Sequence, residues 1–164
     1  MKSPASKRLA ALVTFLVILL LDQGTKHWAS QTLAGAPAQK YLGILTLSYA
    51  QNHGAWGSLG ATWSPLLRGS LFVVFPALVL LILVVHIFRQ SDPPWLEALG
   101  AAFLLAGGVG NLIDRVRFQY VVDFLYVGYG PVGTNIFNIA DMVVLIGLGC
   151  LLWVSWQQRD KPEP

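Results

Sequence analysis

Four long apolar stretches dominate this chain and leave it few places to fold other than a lipid bilayer. A helix that crosses the hydrocarbon core needs about 20 residues. The first stretch runs from Leu9 to Leu21 and continues through Asp22 to Trp28. The second, Gly69 to Phe88, carries no formal charge; the third, Trp95 to Leu112, is broken only by Glu97. The fourth, Met142 to Trp156, is uncharged and stops before Arg159. These predict helices over about residues 9–28, 69–88, 95–112 and 141–157 in a single integral-membrane domain spanning 1–164.

Composition closes the other exits. Only 12% of the residues are charged, about half the share of a soluble domain, so the chain cannot cover itself with polar surface. At 55% hydrophobic it is too apolar for a solvated, disordered chain. One cysteine, Cys150, rules out a disulfide scaffold. The net charge of +3 is scattered along the chain, so no nucleic-acid surface is expected. The first stretch could be a secretory signal, since Lys2, Lys7 and Arg8 precede it. Asp22, Gln23 and Lys26 stand where the small residues of a cleavage site belong, which favours a retained anchor.

Four spans place both termini on one side. That side holds six Lys and Arg residues (Lys2, Lys7, Arg8, Arg89, Arg159, Lys161) against five on the other (Lys26, Lys40, Arg68, Arg115, Arg117). The cluster ahead of the first span favours cytoplasmic termini. Loops at about 29–67 and 113–140 then lie outside. Residues 40–52 and 116–127 within them are rich in β-formers and read as strands. Unpaired backbone cannot sit in lipid, so both are expected at the outer interface, pairing into a small sheet. The fold class is therefore mainly α and polytopic, with four transmembrane helices and a small β-sheet subdomain at the outer interface.

Half of the eight acidic residues border the bilayer on that outer side: Asp22, Asp114, Asp123 and Asp141. The other four, Asp92, Glu97, Asp160 and Glu163, lie on the opposite side. Plain structural roles are open to most of the first group. Asp141 can serve a helix N-terminus, Asp114 beside Arg115 can belong to a local or inter-loop ion pair, and Asp22 with Lys26 forms an i,i+4 pair. Asp123 differs, because Val121-Val122 and Phe124-Leu125 surround it with no local cation. A carboxylate in apolar surroundings near a second one has its pKa raised, and such a pair can share one proton. One member then acts as base and the other as acid, which is what activating water against a peptide carbonyl requires. Interfacial aspartates also suit a proton-coupled carrier, and a non-catalytic membrane scaffold is a third reading. His27, His53 and His86 lack metal-ligand spacing, so no metal is expected. Gly107-Gly108-Val109-Gly110 lacks the strand–helix context of a nucleotide loop and suits close helix packing.

Five blocks, in order, resemble the lipoprotein signal peptidase (signal peptidase II) family of membrane aspartic proteases. They are Leu21-Asp22-Gln23-Gly24-Thr25-Lys26, Asn52-His53-Gly54-Ala55, Gly110-Asn111-Leu112-Ile113-Asp114-Arg115, Val121-Val122-Asp123-Phe124 and Phe137-Asn138-Ile139-Ala140-Asp141. The resemblance implies an endopeptidase that removes the signal peptide of lipid-modified prolipoproteins by cutting before the diacylglyceryl cysteine. It implies Asp123 and Asp141 as the catalytic pair, with Asn52, Asn111, Arg115 and Asn138 binding substrate or bracing the pair. Asp22, Lys26, Gly54 and Asp114 match motif positions of a more structural kind. On spacing alone, Asn52 in Asn-His-Gly is an ordinary turn residue. Two carboxylates and water need no cofactor. The expected partners are diacylglyceryl-modified prolipoproteins and membrane lipid, with the chain acting as a monomer in the bacterial inner membrane. Its termini would be cytoplasmic and its active site would face outward. Gln119-Tyr120, where the family often has a glycine, Trp56-Gly57 and Met142 depart from the pattern.

Overall fold

A computed structural model describes residues 3–159. Lys2, Asp160, Lys161 and Glu163 lie outside the described residues. The order of elements is α1 (Pro4–Thr32), β1 (Gln39–Tyr41), β2 (Leu45–Asn52), α2 (Pro65–Gly69), α3 (Phe75–Arg89), α4 (Trp95–Phe118), β3 (Val121–Tyr129), β4 (Val132–Gly133) and α5 (Ile139–Arg159). A π-helical turn, Ser70–Val74, joins α2 to α3. Pro76 accounts for it, because it has no N–H to give the carbonyl one turn back and its ring crowds that carbonyl. Helix α1, the joined α2–α3, α4 and α5 are each long and apolar enough to cross a membrane. Leu20, Leu66, Phe88 and Leu145 are among the large apolar side chains left exposed around them. A belt of this kind suits a lipid environment.

Helix α4 is the hub, packed against α1, α3 and α5. Its small residues let the neighbours approach. A methyl group at Gly107 would run into the carbonyl of Ala140 on α5, one at Gly108 into Leu80 on α3, and one at Gly110 into the Asp22 carboxylate on α1. Ile18, Ala106 and Val143 form the buried centre of the bundle. The sheet sits at one end, in the antiparallel order β1-β2-β3-β4. Ala29 and Leu33 at the end of α1 pack beneath it against Val122 and Phe124.

Two sheet details aim the site. A register shift between Leu47 and Ala50 sets Ala50 opposite Asp123 and Asn52 opposite Val121. Phe137 pairs across to Leu125, so the lead-in to α5 is tied to β3. Both strand-like segments do join one sheet, but the boundaries differ from those read in the sequence. Helix α4 continues to Phe118 instead of stopping near 112, and the strand begins at Val121 instead of 116. Val116 and Phe118 carry β propensity, yet Asp114 on the buried side of this turn has partners only if the helix persists. Tertiary contact overrides propensity here. Asp114 thus lies within the helix and not beyond it. Gln119 then closes α4 in the left-handed region, at φ 64°, with its N–H on the Arg115 carbonyl 3.1 Å away.

The Gly107 contact is with backbone, so it cannot be relieved by a side chain swinging away. Gly107→Ala should destabilise the protein by about 1–3 kcal/mol through overpacking, seen as a lower thermal midpoint in detergent. Gly149→Ala should be neutral, because a methyl there meets nothing within 4 Å.

Candidate active site

Helix α5 begins with a reciprocal capping box. The Oδ1 of Asn138 accepts from the N–H of Asp141 at 3.0 Å, and Asp141 Oδ2 accepts from the N–H of Asn138 at 3.2 Å. An Asn–x–x–Asp sequence suits this geometry, since each side chain satisfies a donor that the first helical turn leaves free. The cap leaves the Asn138 amide nitrogen available. It donates to Asp123 Oδ1 at 2.7 Å and to Asn111 Oδ1 at 3.2 Å. Asn138 therefore touches both Asp123 and Asp141, and it is fully buried.

Each carboxylate takes one further amide. Asn52 Nδ2 donates to Asp123 Oδ2 at 3.0 Å, and Asn111 Nδ2 donates to Asp141 Oδ1 at 2.8 Å. Asn52 is a turn residue as well as a site neighbour, since its Oδ1 accepts the N–H of Gly54 at 3.0 Å. Gly54 is confined by the backbone of Ser58 and Leu59, where a methyl group could not fit. Asp123 is 2% exposed. Burial pushes its carboxyl up to about 6; Asn52 pulls it down, Asp141 pushes it up, and Asn138 and Lys26 pull it down.

Behind the pair lies a buried ionic cluster. Lys26 Nζ is 2.9 Å from Asp22 Oδ2, 3.2 Å from Asp114 Oδ2 and 2.8 Å from Asn111 Oδ1. Asp22 Oδ1 accepts the N–H of Ala140 at 3.0 Å, and Asp114 Oδ2 accepts that of Val122 at 3.1 Å. The i,i+4 pairing of Asp22 with Lys26 is present, whereas Asp114 pairs with Lys26 and not with Arg115. Arg115 instead donates to the Gly54 carbonyl at 3.2 Å and lies over the Phe72 ring, 5.9 Å from its centre.

Sequence reasoning passed over Gln23, whose Nε2 reaches Asp22 Oδ2, Asp114 Oδ1 and the Gly110 carbonyl at 3.1–3.2 Å. Its place beside Asp22 in the first motif block was the available signal. Among the described residues, no three His, Cys, Asp or Glu side chains converge as a metal group. The arrangement links the buried Asp123 carboxyl and the half-buried Asp141 carboxyl through one residue, Asn138, and holds both with neutral amides that do not themselves titrate. That equipment suits acid–base work on a bound water.

The architecture is that of a polytopic membrane enzyme. It superposes on a bacterial membrane enzyme solved by the in meso method at 2.3 Å, with TM-score 0.78 at 22% identity, covering 94% of this chain and 93% of that one. A second, solved at 1.9 Å, gives 0.76 at 25% identity over 88% and 91%. The family model described as signal peptidase (SPase) II matches residues 14–157. Proteins named lipoprotein signal peptidase are similar along nearly their whole length. The one from Syntrophomonas wolfei is 35% identical over 92% of this chain and 94% of its own. That of Streptococcus pyogenes serotype M1 is 31% identical over 94% and 97%. The chain belongs to the signal peptidase II family, and so to the membrane proteases. Membership sets aside the carrier and scaffold readings.

Lys26 is the only cation among the described groups bonded to Asp22 and Asp114. Lys26→Met should destabilise by about 3–5 kcal/mol, because it strands two buried carboxylates. Lys7→Met should cost no more than about 1 kcal/mol, as its partner Asp92 is half exposed. Thermal unfolding of the two variants in detergent separates these values.

Proposed function

We propose that this protein is an aspartic endopeptidase that removes the signal peptide of lipid-modified prolipoproteins, cutting before the diacylglyceryl cysteine. One observation carries the reading: the Asn138 side chain, fully buried, caps the helix of Asp141 and donates to Asp123. Two carboxyls held this way share a proton. The ionised one takes a proton from water as it attacks the peptide carbonyl, and the protonated one gives its proton to the substrate. Asn52, Asn111, Asn138 and Arg115 hold the carboxyls and offer hydrogen bonds to the extended peptide. Asp22, Lys26, Gly54 and Asp114 act through the backbone they fix. No metal or organic cofactor takes part.

The chain works as a monomeric single domain, in contact with membrane lipid, in the bacterial inner membrane. Its termini lie in the cytoplasm and the sheet end faces outward, where a translocated precursor presents its cleavage site. The signal helix of that precursor lies beside the four spans, and the sheet grips the residues at the cut.

The chemistry needs both carboxyls. Asp123→Asn and Asp141→Asn should each lower cleavage of a lipidated precursor by roughly 10²–10⁴ at matched protein levels, while Asp160→Asn changes nothing. Near-normal turnover in either of the first two would falsify the pair.

The pH dependence follows from Asp123. Its carboxyl titrates near 6, so the pair loses its shared proton as pH rises through that value and the rate should fall. The amide of Asn52 favours the ionised form, so Asn52→Ala should raise the Asp123 value further. The falling limb of the pH–rate profile should therefore move to higher pH. A limb that stays put, or moves lower, would count against Asp123 as the proton holder.

A further inference from the structure

The end of the bundle remote from the paired carboxyls holds a cavity of about 270 Å³ that the chemistry above does not use. Its lining includes Leu83 and His86 of α3, Glu97 of α4, and Leu151 and Val154 of α5. Glu97 is the one acidic residue of that lining, and it is only 8% exposed. Its Oε1 accepts from Gln90 Nε2 and lies 3.3 Å from His86 Nε2, while Oε2 takes no hydrogen bond among the described residues. His86 is its only ionisable partner there. The basic side chains of the same end are engaged elsewhere: Lys7 pairs with Asp92, and Arg8 donates to the Gln90 carbonyl.

A carboxylate in the first turn of a helix is favoured by the dipole, and an exposed one needs no other partner. A buried one is costly without a cation. The cavity has room for a charged head group, since a single water needs only roughly 10–15 Å³. Glu97, Ala101, Leu104, Gly108, Asn111 and Arg115 recur at alternating spacings of four and three, so they share one face of α4. That face runs between α3 and α5: Glu97 meets His86, Gly108 meets Leu80, Leu104 meets Gly147 and Asn111 bonds Asp141. Helices α3 and α5 each pack more on α4 than on each other, and the cavity lies in the gap between them. Glu97 therefore stands at one end of this face and the Asp141 carboxyl at the other. Fourteen residues separate Glu97 from Asn111, about 21 Å of helix at about 1.5 Å per residue.

A secretory signal joins a basic n-region to an apolar h-region of about 7–15 residues, which as a helix is about 10–22 Å long. The longer of these match the separation along α4. We propose that Glu97 receives a Lys or Arg of the precursor's n-region, so that a signal helix lying between α3 and α5 is held by its charge at one end and cut at the other. This rests on the prolipoprotein reading above and gives it a recognition element far from the cut. Leu83, Leu151 and Val154 supply apolar walls for the start of the h-region.

The test uses full-length enzyme in detergent and two diacylglyceryl-modified precursor peptides that differ only in the n-region, one with lysines and one with glutamines in their place. The wild type should show a KM roughly tenfold higher on the neutral precursor, as loss of a charged hydrogen bond does, with kcat little changed. Glu97→Gln should raise KM on the basic precursor by the same factor and add nothing on the neutral one. Glu97→Lys should reverse the preference, favouring a third precursor whose n-region lysines are replaced by glutamates. Asp92→Asn, at the same end of the bundle, should discriminate as the wild type does. A wild type indifferent to n-region charge would overturn the proposal, as would equal KM increases on the basic and neutral precursors in Glu97→Gln. So would a Glu97→Gln defect that appears only when phosphatidylethanolamine is added, which would assign Glu97 to a lipid ammonium. A wild type that cleaves none of the precursors would instead refute the prolipoprotein reading itself.

Discussion

One buried ammonium, that of Lys26, organises the whole sheet end of the molecule. Its partners are Asp22 on its own helix and Asp114 and Asn111 on α4. The two carboxylates pass the constraint on to backbone. Asp22 takes the Ala140 N–H from the first turn of α5, and Asp114 takes the Val122 N–H at the start of β3. Segments of α1, α4, β3 and α5 thus converge on one cation. Removing such charges from water costs several kcal/mol per ion, so the cluster is poor value as simple stabilisation. What it does provide is a single register for α1, α4, α5 and β3. The Asp123 and Asp141 carboxyls depend on that register.

The cation also dictates which way the amides point. Asn111 must turn its oxygen toward Lys26, which leaves its nitrogen for Asp141. Asn138 must turn its oxygen toward the Asp141 N–H, which leaves its nitrogen for Asp123 and for Asn111 Oδ1. Reversing either amide would set donor against donor. The polarity of the site is therefore fixed in sequence from Lys26 outward, and every hydrogen of the Asn138 side chain is used. Serine has one donor and could not reach both neighbours. Aspartate in place of Asn138 would add a third carboxylate against two.

The spans and the strand character of both loops were legible because hydropathy and β propensity are local. The paired carboxyls were half legible. Asp123 stood out for having no cation nearby, and the structure shows it buried with only amides bonded to it. Asp114 was legible as one half of an ion pair but not in its partner: Arg115 adjoins it in sequence, but on a helix adjacent residues point in different directions. Its true partner lies 88 positions away, across a helix interface. Nothing local marks the bulge between Leu47 and Ala50 that sets the register facing Asp123. The Asn–x–x–Asp cap was readable from spacing, yet its sense depends on where α5 begins. Gln119 shows the converse. A left-handed helix cap favours glycine, so the departure from the family pattern falls where backbone strain is tolerated by the Arg115 carbonyl contacts of its own N–H and side chain.

Glycine in a membrane helix is usually read as a device for close packing of apolar surfaces. On α4 it has a second consequence. Gly110 leaves room for the Asp22 carboxylate between α1 and α4, and Gly107 lets the carbonyl of Ala140 come up against the helix. The same approach carries the Ala140 N–H onto Asp22 Oδ1, 3.0 Å away. Without those two missing methyl groups, the anion and the donor that satisfies it could not occupy one interface. An isolated carboxylate there would be untenable. The two glycines and the charged cluster are thus one solution: close backbone approach is what makes the buried ions sustainable, and the buried ions are what fix the approach to one geometry. Asp141, one residue beyond Ala140, takes its position from both.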